Sequence, residues 1–118
     1  MMMEEIVMIQ ENTVNLIDSM KKTSVYQEYH EALAELENRP ELKLKADEFR
    51  KERYRVYHVE SSLCCDAMDL LAAKQEEVMQ YLEIKRFLKA ELELARFMQS
   101  IETQLMVAMQ PNVIEEML

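Results

Sequence analysis

Between Ile6 and Met20 the positions Ile6, Ile9, Thr13, Leu16, Ile17 and Met20 recur at intervals of three and four residues, with Glu5, Glu11, Asn12 and Asp18 between them. That interval is the period of an α-helix with one apolar face, so a first amphipathic helix is predicted here. It should break near Lys22–Thr23, because Ser24 followed by Gln27 fits a capping box, in which two side chains satisfy orphan amides at a helix start. A second helix then runs to about Glu37, with Tyr26, Tyr29, Leu33 and Leu36 on its inner face. Asn38-Arg39-Pro40-Glu41 punctuates the chain: Asn38 can cap, Pro40 suits a first helical turn, and Glu41 favours the positive end of the dipole.

A third helix follows, with the stripe Leu42, Ala46, Phe49, Arg53 and Val56 continuing through Tyr57. At Glu60-Ser61-Ser62 it kinks or runs through, with Ser62 available as a cap. Beyond it Leu63, Ala67, Leu70, Leu71, Val78 and Leu82 lead into Ile84, Phe87, Leu88, Leu94, Ala95, Met98, Ile101, Leu105 and Met109. Pro111 stops the pattern. Residues 62–110 as one helix would extend about 70 Å, roughly twice the diameter of a compact chain of this size. A turn around Lys74–Glu77 is therefore expected, together with overhanging helices that pair with a second subunit. The fold class is all-α, an antiparallel helical bundle of about four helices with long third and fourth helices. Residues 1–110 form one domain and 111–118 a short tail, in which Val113, Ile114, Met117 and Leu118 make an amphipathic turn.

Composition sharpens this picture. The chain has no glycine and two prolines. Glycine supplies left-handed turns and phosphate cradles, so its absence weighs against hairpins, P-loops and dinucleotide folds. The formal net charge is −9, which repels nucleic acid and anionic membrane; direct nucleic-acid binding is not expected. No apolar run approaches the roughly 18–20 residues that span a bilayer, and the start carries no signal pattern, so a cytoplasmic protein without membrane attachment is expected. The cysteines, Cys64 and Cys65, are adjacent, which makes a poor staple, and reduced thiols are the simpler expectation.

Candidate chemistry is sparse. A di-iron bundle needs Glu-x-x-His pairs, yet Gln27 stands three positions before His30 and Arg55 three before His58. Adjacent thiols lack the Cys-x-x-Cys spacing that brings two sulfurs to one metal. No cofactor and no catalytic group are expected; the alternative function is a metal or redox sensor using Cys64 and Cys65. One segment is basic: Lys43, Lys45, Arg50, Lys51, Arg53 and Arg55 face only Asp47, Glu48 and Glu52 between residues 43 and 55. It is a solvated face with helical ion pairs, or a docking surface for an acidic partner or RNA. Glu91 stands inside the apolar stripe of the last helix, where an acid needs a Lys, Arg or backbone donor across the interface. The expected partner or dimer seam is Ile84, Phe87, Leu88, Glu91, Leu94, Met98, Ile101 and Leu105. Eleven methionines crowd partly into the C-terminal third, where flexible thioethers suit a core or an adaptable binding face.

The order of these signals carries a resemblance. A first amphipathic helix is followed by Ser24-Val25-Tyr26-Gln27-Glu28-Tyr29, then Pro40-Glu41-Leu42 leading into Glu48-Phe49-Arg50, then Phe87-Leu88-Lys89-Ala90-Glu91 and Leu94. Over roughly residues 10–110 the chain resembles the YlbF/YmcA family of small helical bacterial regulators. The resemblance implies a cytoplasmic bundle that associates with itself or a relative, as a homodimer or a hetero-oligomer. It also implies a regulatory adaptor in competence, sporulation and biofilm control, acting on RNA processing by an endoribonuclease. Some members are described as holding iron–sulfur clusters through cysteines; this chain has only Cys64-Cys65, and no cluster is carried over.

Overall fold

The computed structural model describes residues 1–58 and 65–110, the side chain of Cys65 excepted. Within them lie five helices: α1 Met2–Lys21, α2 Ser24–Glu37, α3 Pro40–His58, α4 Cys65–Val78 and α5 Leu82–Met109. The count corrects the expected four. α3 and α4 are separate helices where one long third helix was expected, and the turn before the last helix falls at Met79-Gln80-Tyr81, a few residues beyond the expected Lys74–Glu77. No described residue in that turn or elsewhere takes a positive φ, so a glycine-free chain turns without left-handed backbone. Ser62 and the expected kink at residues 60–62 lie outside the described residues, as does the tail 111–118.

The break between α1 and α2 falls where the pattern places it, through a different cap. Thr23, not Ser24, is the N-cap: its Oγ1 accepts from the Tyr26 amide at 3.3 Å and donates to the Met20 carbonyl at 2.7 Å. Gln27 works backwards instead, its Nε2 donating to the Lys21 carbonyl at 2.8 Å and closing the end of α1. At the start of α3, Arg39 holds the N-cap position that Asn38 was expected to take, its carbonyl accepting from Leu42 and Lys43. Pro40 then occupies the first helical position, where no amide is lost, and Glu41 the first turn.

The residues sort into two compact units. One comprises Glu31–Glu91, the other Met1–His30 with Leu92–Leu118. The first holds the core: Ala32 and Leu36 of α2, Leu42, Ala46, Phe49 and Val56 of α3, Leu71 and Val78 of α4, and Ile84, Phe87, Leu88 and Ala90 of α5 are buried. The α3 stripe matches its expected positions except that Tyr57 is exposed, since a residue adjacent to inward Val56 is rotated about 100° away. Leu70 and Leu82 are also exposed.

The second unit contrasts with it. None of the residues of α1 is buried, and of the α5 residues from Leu92 onward none is buried either. Ile17, Met20, Lys21 and Tyr26 meet Leu94, Phe97 and Met98 around an apolar notch of about 150 Å³. Elsewhere in this unit Ile6, Val7, Met8, Ile9, Val14, Leu16, Leu105, Met106, Val107 and Met109 lie open to solvent.

Candidate functional site

On α3 the sequence puts a cation every few residues on a helix whose opposite side is apolar, and the structure gives most of these cations a partner. Lys43 reaches Asp47 at 2.8 Å and Arg55 pairs with Glu52, each within the helix at the spacing that makes side chains neighbours. Lys45 lies over the Tyr81 ring, 5.7 Å from its centroid. Arg50 and Arg53 converge on Glu91 of α5: the Arg53 guanidinium donates at 2.8 Å, and Arg50 Nε lies 2.7 Å from the other carboxylate oxygen. The latter approach is off the N–H axis, so it is an ion pair rather than an aligned hydrogen bond, and the buried Nε has no other partner. Arg50 also lies over Phe87, and Arg53 over Phe49, so both guanidiniums bridge the apolar stripe and the acid. Glu91 thus meets the donor it was expected to need.

Electrostatics here is that of an exposed helix. The Arg55 hydrogen bond, with the Arg55 and Lys74 charges behind it, holds the Glu52 carboxyl below its ordinary 4.5. Glu41 is lowered likewise, by its own backbone amide at the helix start and then by Arg39. Two further clamps hold the unit: Arg39 binds Glu41 and Glu83, and Arg86 binds Glu31 and Glu35 of α2.

One cation of the basic segment is left over. Lys51 makes no ion pair among the described residues, and it stands in an open groove of about 820 Å³ along the outer side of α3. Leu44, Asp47, Glu48, Arg50, Arg53, Tyr54, Tyr57 and His58 line the same groove. Leu44 is 61% exposed, Tyr54 61% and Tyr57 50%. Tyr54 and His58 stack at 4.2 Å, and His58 Nδ1 lies 3.1 Å from the Tyr54 carbonyl. The sequence stripe hid this face, because Tyr57 reads as a continuation of the core and Leu44 and Tyr54 fall between core positions; the spacing of Tyr54, three residues after Lys51 and four before His58, was the available signal.

The expected α5 seam divides. Ile84, Phe87 and Leu88 face the core of their own protomer and are not available to a partner, which corrects the N-terminal part of the seam; they pack there because α3 and α2 present the matching buried positions. Leu94 and Ile101 are half-buried, while Met98 and Leu105 are exposed. Cys64 lies outside the described residues, and Cys65 begins α4. His30 stacks on Tyr26 with 6.1 Å between centroids. Among the described residues no three His, Cys, Asp or Glu side chains gather to hold a metal ion, and no helix is long and apolar enough to cross a membrane.

These features define a small protein, all-helical among its described residues, that leaves apolar and aromatic side chains open on α1, on α3 and at the end of α5. Residues 9–110 match the family described as control of competence regulator ComK, YlbF/YmcA, and the chain belongs to that family. The family is a regulatory one. Neither the curated proteins nor the solved structures hold a match to the chain.

Proposed function

We propose that this chain is a non-catalytic regulatory adaptor of the cytoplasm that acts through protein–protein contacts, its protomers pairing through the open apolar faces of α1 and the second half of α5. The observation that carries this reading is α1 itself. A 20-residue helix with no buried residue, and with Ile6, Val7, Ile9, Val14 and Leu16 in water, is marginal on its own. Apolar side chains left open along a whole helix in this way support an interaction face.

The partner on this face is a second copy or a related helical chain, and the seam it uses is Leu94, Met98, Ile101 and Leu105 with the α1 stripe. By the family resemblance, an endoribonuclease is the class of effector that such an assembly would serve. Light scattering after size exclusion tests the reading. A species of at least twice the 14.1 kDa chain mass is expected, reverting to the chain mass on Leu105→Asp. A wild-type monomer at tens of micromolar would overturn pairing with a second copy, and failure of a related helical chain to bind as well would overturn the reading.

A further inference from the structure

Exposure divides the methionines between the two units. Met68 and Met79 in the unit Glu31–Glu91 are half-buried, as is Met20 of α1, and Met117 lies outside the described residues. The remaining methionines are exposed, and all of them belong to the unit Met1–His30 with Leu92–Leu118: Met8 is 57% exposed, Met98 52%, Met106 46% and Met109 79%, and Met1, Met2 and Met3 are open as well. We propose that Met98, with Met109 on the same side of α5, is a site of reversible oxidation by peroxides, and that the sulfoxide separates protomers paired through this face. This rests on the pairing proposed above and adds a means of regulating it.

Position around the helix singles out these two residues. At about 100° per residue, Leu94, Met98, Ile101, Leu105 and Met109 fall in a band about 80° wide, with Met98 about 20° from Leu105. Met106 stands about 100° from Leu105, outside that band. Met98 also lines the apolar notch with Ile17, Met20, Leu94 and Phe97, so it sits where α1 and α5 meet and not at a free end.

Peroxide alone completes the reaction. It passes one oxygen to the sulfur: the O–O bond breaks, a sulfur lone pair forms the S–O bond, and water leaves when the oxidant is hydrogen peroxide. Sulfur loses two electrons and the peroxide gains them. A flexible apolar side chain becomes a polar one with a strong acceptor oxygen.

The face offers that oxygen little to bond. Leu94, Ile101, Leu105 and Met109 carry no side-chain N–H or O–H, and neither do Ile6, Ile9, Leu16 and Ile17 of the α1 stripe. Thr13, the hydroxyl in that stripe, donates to the Ile9 carbonyl at 2.7 Å. A sulfoxide buried against these residues stays unbonded, which disfavours the paired state. Lys21 and Tyr26 also line the notch, and a sulfoxide bonded to either no longer presents an apolar side chain to a partner. Pairing shields the same sulfurs, so peroxide reacts with the unpaired chains that dissociation supplies, and an oxidised chain stays unpaired until it is reduced.

The test exposes the full chain to hydrogen peroxide, locates each added oxygen by peptide mass spectrometry, and reads pairing by light scattering over a dilution series, with circular dichroism to verify that the oxidised chain remains helical. Sulfoxide at Met98 and Met109 is expected to raise the dissociation constant of the pair at least about tenfold. Methionine sulfoxide reductases acting on both epimers should restore it. The variant Met98→Leu with Met109→Leu keeps the apolar volume and should stay paired after the same exposure, although Met8 and Met106 still oxidise. Oxidised wild type that pairs with unchanged affinity would overturn the proposal, as would equal loss of pairing in the double variant. A chain that is monomeric before peroxide is added would overturn the pairing of copies as well, whereas a pair that oxidises and stays together overturns the proposal alone.

Discussion

Glu91→Ala is the most direct test of how unit Glu31–Glu91 tolerates an acid in its apolar stripe. The Glu91 side chain is 19% exposed, and the side chains of Arg50 and Arg53 are 38% and 39% exposed. A hydrogen bond to a charged group contributes about 1.5–3 kcal/mol when hidden, and an exposed ion pair about 0.2–1 kcal/mol. Guanidiniums this open place each contact near the upper end of the exposed range, roughly 1 kcal/mol. Removing the carboxylate also leaves Arg50 Nε, a buried donor, with nothing to approach. The expected loss is about 2 kcal/mol in urea unfolding. Taking about 4–8 °C per kcal/mol for a domain of this size, Tm should drop by about 8–16 °C. The sign of a second variant separates charge from packing. Replacing all three together, Arg50→Met, Arg53→Met and Glu91→Leu, should leave stability within about 1 kcal/mol of wild type, since a charge cluster exchanged for apolar groups of similar volume is often neutral. A loss under about 0.5 kcal/mol for Glu91→Ala would refute the reasoning, and would mean that water already holds the two arginines.

Other expectations follow from the same geometry. Thr23→Ala should cost about 1 kcal/mol while Ser24→Ala costs little, because Thr23 carries the cap; equal losses in thermal melts would reassign it. Leu105→Asp should shift mass in light scattering without lowering the helix content of unit Glu31–Glu91, whereas Ile84→Asp should unfold that unit, since Ile84 is fully buried. Glu52 and Glu41 have lowered carboxyl values in the folded chain, so the stability they add is present above the unfolded value of 4.5 and is lost as pH falls through the lower folded values. Unfolding followed below pH 4.5 should therefore show a shallower acid loss in Glu52→Gln than in wild type.

Helices were legible because their period is local. The spacing of Leu42, Ala46, Phe49 and Val56 depends on nothing outside α3, and Pro40 and Pro111 announce themselves. Ends were harder. Thr23 and Ser24 offer the same hydroxyl one position apart, and which of them caps depends on how α1 closes through Thr23 and Gln27. The turn at residues 79–81 carried no glycine or proline to mark it. The candidate surfaces were the least legible part. An amphipathic stripe shows that a face is apolar but not whether its own chain covers it, and along α5 both answers occur: Ile84, Phe87 and Leu88 are covered, Met98 and Leu105 are not. The adjacent charges of the 43–55 segment disclosed a basic run, yet only distances separate the cations spent on Asp47, Glu52 and Glu91 from Lys51.

The bareness of α1 has a bearing on abundance. A helix that buries none of its own residues draws its order from whatever lies against it, so on the pairing proposed above the fraction of copies in which it is intact would follow mass action. Where copies were scarce, the segment would open, its amides would exchange with solvent quickly, and its apolar residues would become a place for proteases to begin. Where copies were plentiful, the same segment would be shielded. A protein paired in this way would translate its own expression level into its lifetime, and copies without a partner would be the first removed.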